Sequence, residues 1–191
     1  MGIIYSKTKS IWRRVIPQEA NAYVFSGRTA FSRSVLKLKS KLEESASHDE
    51  LYDESYFRRQ DAAMQQPAAV IADSILTQFS PESVLDVGCG SGDVMAALHS
   101  EGNKAVGLEY SKAAINICRE KKLDVRSFDL EGEQAPDVGR FDLVLSTEVA
   151  EHLPAACADR YVHLLVSHAI SQVVMIFELD DSSNATPCYA S

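Results

Sequence analysis

The stretch Val84-Leu85-Asp86-Val87-Gly88-Cys89-Gly90-Ser91-Gly92-Asp93 decides the fold of this chain. It begins as a short apolar run, and three glycines then follow within five residues. Glycine lets a backbone turn tightly and approach a ligand closely, and a helix that begins after such a loop offers unpaired N–H groups. The stretch therefore predicts a strand, a ligand-holding loop and a helix.

The sequence around this stretch alternates between apolar runs and helical periodicity. Pro67 lies near the start of the first predicted helix, where proline is tolerated. The predicted helices are Ala68–Phe79, Val94–Ser100, Ser111–Lys121 and Ala158–Ile170, and the predicted strands are Ser83–Val87, Lys104–Glu109, Leu123–Phe128, Phe141–Ser146 and Gln172–Phe177. This alternation predicts an α/β fold, a Rossmann-like doubly wound and mostly parallel sheet with helices on both faces.

Four carboxylates are predicted to share one edge of that sheet. Asp86, Glu109, Asp129 and Glu148 lie at or just beyond the carboxyl ends of predicted strands, where open sheets of this kind bind their ligands. Such an edge suits a cation better than a pyrophosphate. Asp93 also takes the place of the third glycine of the dinucleotide motif, so a nicotinamide-dependent oxidoreductase is the least favoured function.

Val84–Gly92 resembles the first motif of class I S-adenosylmethionine-dependent methyltransferases, and the resemblance extends over about residues 50–178. Ubiquinone-pathway O-methyltransferases are among the similar proteins. The resemblance implies that S-adenosyl-L-methionine is the cofactor. The cofactor-binding residues that it implies are Asp86, Gly88, Cys89, Gly90, Gly92, Glu109, Tyr110, Phe128, Asp129 and Tyr56.

The same resemblance implies individual roles for several of these residues. Glu109 would accept hydrogen bonds from both ribose hydroxyls, and a carboxylate suits two O–H donors. Asp129 would meet the adenine amino group, with Phe128 against the base. Asp86 would lie near the methionine amine, and Tyr56 belongs to an element that many relatives place over the cofactor.

A Glu-x-x-Glu-His segment follows the fourth predicted strand, with Glu148, Glu151 and His152 at positions i, i+3 and i+4. We interpret His152 as a candidate general base for a hydroxyl acceptor and Glu148 as a residue that borders the active site. If the turn were helical, the three side chains would share one face and could ligate a divalent metal. Similar segments occur in relatives with and without metal, and we assign none here.

Charge divides the 191 residues into a basic start and an acidic body. Residues 1–45 hold nine Lys/Arg and three Glu, a net charge of +6. Since the whole chain has a net charge of −8, residues 46–191 have a net charge of −14. We predict a basic N-terminal extension over 1–45, a methyltransferase domain over 46–180 and a polar tail over 181–191. The acidic body disfavours sequence-independent nucleic-acid binding, and no apolar run is long enough to span a bilayer.

The four cysteines are widely spaced and form no CxxC pair. This spacing is typical neither of a zinc site nor of a disulfide framework. It favours a reducing compartment, and we expect a cytoplasmic protein.

Only fourteen residues follow the last predicted strand, whereas members of the resembled family continue with a helix and an antiparallel hairpin. We therefore expect this hairpin to be missing and the edge of the fifth strand to be exposed, which invites homodimerisation. The leading function is methyl transfer to a small-molecule hydroxyl. The alternatives are a truncated or non-catalytic cofactor-binding or interaction protein, and an RNA or protein methyltransferase.

Overall fold

A computed structural model of the chain describes residues 20–26, 54–130 and 136–178. Within these ranges, side chains are described for residues 67–130 and 136–176, apart from 151 and 155. The strands are β1 (Ala20–Ser26), β2 (Ser83–Val87), β3 (Lys104–Glu109), β4 (Asp124–Ser127), β5 (Phe141–Thr147) and β6 (Ala169–Glu178). The α-helices are α1 (Glu54–Phe79), α2 (Asp93–Ser100), α3 (Lys112–Glu120) and α4 (Ala158–His168), and short 3₁₀ turns span Ala150–His152 and Ala155–Cys157.

The six strands form one sheet in the order β1-β6-β5-β2-β3-β4. β2 to β6 are parallel, and β1 runs antiparallel to β6. The order reverses at β2, whose neighbours are β3 on one side and β5 on the other. The doubly wound, mostly parallel sheet predicted from the sequence is therefore confirmed, and its switch point lies beside the glycine loop.

Helices cover both faces of the sheet, because alternate strand residues point to opposite sides. On one face, Val87 and Val144 pack in one buried cluster with Leu165 of α4. On the other face, strand residues of β2 and β5 pack against Ile75 of α1 and Leu98 of α2. These two cores fix the strands whose ends form the candidate site.

Several helix and strand boundaries differ from the sequence prediction, most of all at the start of α1 and between α4 and β6. α1 begins at Glu54, so that Pro67 lies inside it, because strong helix formers such as Ala62, Ala63 and Met64 precede the proline. β4 is shorter than predicted, and α4 ends at His168. Ala169 instead pairs with Phe141 and begins β6, since the strand ladder extends back to this point.

The edge of β6 is covered, and the prediction that it is exposed was wrong. Ala20 pairs with Glu178 and Ser26 with Gln172, so β1 runs along the whole of this stretch of β6. An unpaired strand edge readily accepts another strand, and here the chain's own N-terminal segment supplies it. The strand edge through which homodimerisation was predicted is therefore already paired with β1. The predicted domain boundaries stay predictions.

Among the described helices, none is both long enough and apolar enough to cross a bilayer.

Candidate cofactor and active site

The structure brings the predicted acidic residues to one edge of the sheet. β4, β3, β2 and β5 are consecutive neighbours, and all four are parallel. Their carboxyl ends carry or precede Asp129, Glu109, Asp86 and Glu148, in that spatial order. The placement predicted for these four residues is therefore confirmed, although their roles stay predictions.

The glycine loop joins β2 to α2 in a conformation that favours glycine. Gly88, Gly90 and Gly92 all have positive φ angles, of 76°, 53° and 77°. A Cβ atom on Gly88 would collide with the Val149 side chain, and one on Gly92 would lie 2.5 Å from Cδ1 of Leu123. The loop therefore needs glycine for its turn and for the close approach of its neighbours.

Bonds from β3 and α3 hold the loop in place. The N–H of Gly88 donates to the Leu108 carbonyl at 2.8 Å. From the other side, Lys121 Nζ donates to the Ser91 carbonyl at 3.0 Å and to Asp93 Oδ1 at 2.8 Å. The Lys121–Asp93 pair is largely shielded from solvent. Asp93, which excluded a dinucleotide motif in the sequence, thus belongs to a bond network that stabilises the loop.

Asp86 is the most unusual ionisable group of the site. Its side chain is 1% exposed, and its Oδ1 has no hydrogen-bond partner among the described residues. Burial, reinforced by the nearby charge of Glu109, raises the pKa of Asp86 from 3.8 to about 7. A buried carboxylate oxygen without a donor is costly, so this position suits a ligand that brings a cation or an N–H group.

Glu109 connects the end of β3 to the glycine loop. Its Oε2 accepts a bond from the Gly90 N–H at 2.9 Å, and its Oε1 accepts one from the Ser111 N–H at 2.7 Å. Burial raises the pKa of Glu109, and these backbone bonds oppose the shift. A carboxylate has about four acceptor positions, and backbone N–H groups of Gly90, Ser111 and Tyr110 use most of them, so Glu109 can still accept a ligand hydroxyl while it fixes the loop.

The other predicted cofactor-binding residues differ in how exposed their side chains are. Phe128 is 3% exposed and packs in the core, so its ring offers no face to a ligand in this conformation. The Cys89 side chain also packs inward. Tyr110 is 47% exposed at the edge, Asp129 is half-buried, and the Tyr56 side chain lies outside the described residues.

The candidate catalytic segment is not a regular α-helix. Glu148 is exposed and has a φ of +54°, and its N–H donates to the Ile176 carbonyl at 2.7 Å. His152 is exposed at the end of the 3₁₀ turn Ala150–His152. The helical face on which the metal alternative depended is therefore absent between Glu148 and His152, and the Glu151 side chain is not described.

The sequence analysis missed a buried contact beneath the loop. Tyr161 of α4 donates to Ser146 of β5, and Ser146 donates to the carbonyl of Val87. No local pattern signals this contact, because its three members come from distant parts of the chain. The sequence analysis missed the Lys121–Asp93 ion pair for the same reason, because the two residues are far apart in the chain.

A cavity of about 590 Å³ lies elsewhere, against β3 and β4. Its lining includes Lys104, Asp124 and Arg126, and none of the predicted site residues. Large volume alone does not define a site, and the buried, partnerless oxygen of Asp86 identifies the crevice beside the glycine loop as the stronger candidate.

Comparison with known proteins identifies the family. The model of a methyltransferase domain matches residues 56–184. The ubiquinone biosynthesis O-methyltransferase of Aromatoleum aromaticum is 32% identical over 87 residues, which are 39% of this chain and 37% of that protein. The enzyme of the same name from Thiobacillus denitrificans is 34% identical over 89 residues, 40% of this chain and 38% of that protein. The matched stretch thus spans less than two fifths of these relatives.

Solved structures share the fold. Magnesium protoporphyrin IX methyltransferase from Synechocystis, with bound SAH, has a TM-score of 0.50 and 18% identity, and the match covers 78% of this chain and 68% of that one. A proposed S-adenosyl-L-methionine-dependent methyltransferase from Methanococcus maripaludis has a TM-score of 0.51 and 19% identity, over 64% and 62% of the two chains. The chain belongs to the methyltransferase-domain family, with the fold of a class I S-adenosylmethionine-dependent methyltransferase.

Proposed function

We propose that the chain binds S-adenosyl-L-methionine in the crevice beside the glycine loop and transfers its methyl group to a hydroxyl of a small molecule. The observation that carries this proposal is the buried Asp86 carboxylate, whose Oδ1 lacks a partner among the described residues. An ammonium group would satisfy this oxygen and compensate its charge. The cofactor carries such a group, together with a positively charged sulfonium.

The donors and acceptors of the crevice fit the cofactor. Asp86 would bind the methionine ammonium group, Glu109 the ribose hydroxyls, and Asp129 the adenine amino group. The positive φ angles of Gly88, Gly90 and Gly92 turn the loop tightly at the end of β2, so that its backbone lies beside Asp86 and Glu109. The cofactor would supply a methyl group on a sulfonium, which a nucleophile can displace without further activation of the carbon.

The protein's own part in the reaction is to position the acceptor and remove its proton. His152 is exposed beyond the end of β5, on the same edge of the sheet as the crevice. A neutral imidazole there can accept a hydroxyl proton. Glu148, also exposed at this edge, would border the acceptor. We assign no metal to this segment.

An oxygen acceptor is supported by the similarity to proteins named ubiquinone biosynthesis O-methyltransferases. The exposed placement of His152 agrees with it, because a hydroxyl needs a base whereas an amine can react as the free base. Cys89, Cys118 and Cys157 are free thiols, as a reducing cytoplasm would keep them. We accordingly propose a cytoplasmic enzyme with a small-molecule substrate.

The experiment that tests this function has two stages. Calorimetric titration of the whole chain with S-adenosyl-L-methionine should show saturable binding, and NAD should not bind. Incubation with methyl-labelled cofactor and a panel of small phenols, sugars and amines should then transfer label to a phenol or sugar. A folded chain that does not bind the cofactor would refute the proposal, and label on amines alone would refute the hydroxyl acceptor.

A further inference from the structure

From the buried contact beneath the glycine loop, we infer that Ser146 and Tyr161 are positioning residues that set the shape of the cofactor loop. This inference rests on the proposed function, because it concerns how the same crevice is held open. Neither residue lies at the exposed edge, since each side chain is only 1% exposed. They would act on the cofactor only through the backbone of the loop.

The contact lies where β2 separates from β5. The pairing of these two strands runs from Val84 with Leu143 to Asp86 with Leu145 and ends there. Val87, the next residue of β2, would otherwise face β5 with a carbonyl group in need of a donor. The Ser146 hydroxyl supplies that donor at 2.6 Å, in place of a backbone N–H group.

Tyr161 fixes the orientation of this hydroxyl. Its O–H donates to Ser146 Oγ at 2.8 Å, which directs the Ser146 proton towards the Val87 carbonyl. The Tyr161 ring packs in the main core cluster with Val87 and Val144. The Tyr161 hydroxyl of α4 is therefore linked through Ser146 to Val87, the residue that precedes Gly88.

The loop is thus held on both sides. On the β3 side, the N–H groups of Gly88 and Cys89 donate to the Leu108 carbonyl at 2.8 and 3.2 Å. On the β5 side, the Ser146 contact holds Val87, and the Val149 side chain fills the space where Gly88 has no Cβ. Loss of the Ser146 contact would free one side of the loop, one residue away from the buried carboxylate of Asp86.

Loss of the Ser146 hydroxyl should weaken cofactor binding in a protein that still folds. Ser146→Ala leaves the Val87 carbonyl without its donor and the Tyr161 hydroxyl without this acceptor, so we expect the Kd for S-adenosyl-L-methionine to rise about tenfold. Ser146→Cys keeps the volume and a weak S–H donor, so it should lie between Ser146→Ala and the native chain. Tyr161→Phe, which preserves the ring, should raise the Kd about threefold.

Ser74→Ala is the matched control. Ser74 is also buried, and its hydroxyl donates to the Val70 carbonyl at 2.8 Å within α1, away from the loop. Both alanine variants should lower the urea midpoint of unfolding, because each deletes a buried hydroxyl and its hydrogen bond. Only Ser146→Ala should change the Kd.

The test is calorimetric titration of the native chain and the four variants with S-adenosyl-L-methionine, at a temperature where urea unfolding shows each variant to be folded. A Kd that rises from the native chain through Ser146→Cys to Ser146→Ala, with an unchanged Kd in Ser74→Ala, supports the inference. A Ser146→Ala variant that binds as the native chain does, despite a lower urea midpoint, overturns it and leaves the proposed function intact. A native chain that does not bind overturns both. If Ser146→Ala does not fold, Ser146→Cys and Tyr161→Phe decide the question by the same comparison.

Discussion

Replacement of Asp86 by asparagine should remove a pH dependence of cofactor binding that the native chain shows. The Asp86 carboxyl is buried beside Glu109, and its pKa is raised from 3.8 to about 7. Asparagine has nearly the same shape but does not titrate between pH 6 and 8. Any difference between the two proteins over this range therefore reports the charge of a single side chain.

The raised pKa first predicts how the stability of the protein without cofactor varies with pH. Above 3.8 the unfolded chain releases the Asp86 proton, whereas the folded chain retains it until about pH 7. The folded chain thus binds more protons in this window, and the free energy of unfolding falls as pH rises. The slope approaches 1.36 kcal/mol per pH unit between the two pKa values, so the fall attributable to Asp86 is roughly 3 kcal/mol between pH 4 and 7, and Asp86→Asn should lack it.

Cofactor binding should show the opposite trend, because the ammonium group requires the ionised carboxylate. With a pKa of about 7, about one tenth of Asp86 is ionised at pH 6 and about nine tenths at pH 8. The affinity of the native chain for S-adenosyl-L-methionine, relative to that of Asp86→Asn, should therefore rise about tenfold from pH 6 to pH 8.

The assay is calorimetric titration at pH 6, 7 and 8 in buffers of different ionisation enthalpy, so that the protons released on binding are counted as well. The amino group of the cofactor itself titrates near the upper end of this range, and it does so equally with both proteins. The ratio of native to Asp86→Asn affinities therefore isolates Asp86. Equal pH profiles for the two proteins would refute the reasoning, as would an asparagine variant that binds as tightly as the native chain at pH 8.

Three further predictions concern neighbouring residues. Glu109→Ala should lower the free energy of unfolding by about 1–3 kcal/mol and weaken cofactor binding, because the Gly90 N–H loses its acceptor. Urea unfolding measures the first effect and calorimetric titration the second. An unchanged free energy of unfolding and an unchanged Kd would contradict the contact between Glu109 and Gly90. Glu148→Gly should raise stability by about 1 kcal/mol, since it relieves a φ of +54°, but should slow methyl transfer. Lys122→Gly, at a φ of +60°, is its control and should stabilise the chain without loss of rate. His152→Ala should reduce the single-turnover rate of methyl transfer about 10²–10⁴-fold, and a loss below threefold would exclude His152 as the base.

The local pattern of apolar runs and turn residues was enough to predict the central part of the fold. The strands Ser83–Val87 and Lys104–Glu109 have the predicted bounds, because each is a short apolar run bounded by strong turn signals. Ser111, with which the third predicted helix begins, caps α3 by accepting a bond from the Ala114 N–H. Once parallel strands are recognised, their carboxyl ends must share an edge, so the grouping of the acidic residues followed as well.

The features that the sequence analysis missed depend on contacts between distant residues. Tyr23, Val24 and Phe25 are residue types that favour strands. Nothing in so short a run shows that it pairs with β6, which lies more than 140 residues away in the chain. The Tyr161–Ser146 contact depends on how α4 packs on β5. The family resemblance implied that Phe128 lies against the adenine base, but its ring is buried in the core.

Hydrogen exchange with and without S-adenosyl-L-methionine tests most directly whether the crevice beside the glycine loop is the cofactor site. The account predicts slower exchange in peptides that contain residues 86–93 and 109–111, no such effect with NAD, and weaker protection in Asp86→Asn at equal cofactor concentration. Protection confined to peptides around Lys104 and Arg126, where the separate cavity lies, would place the cofactor elsewhere and contradict the account.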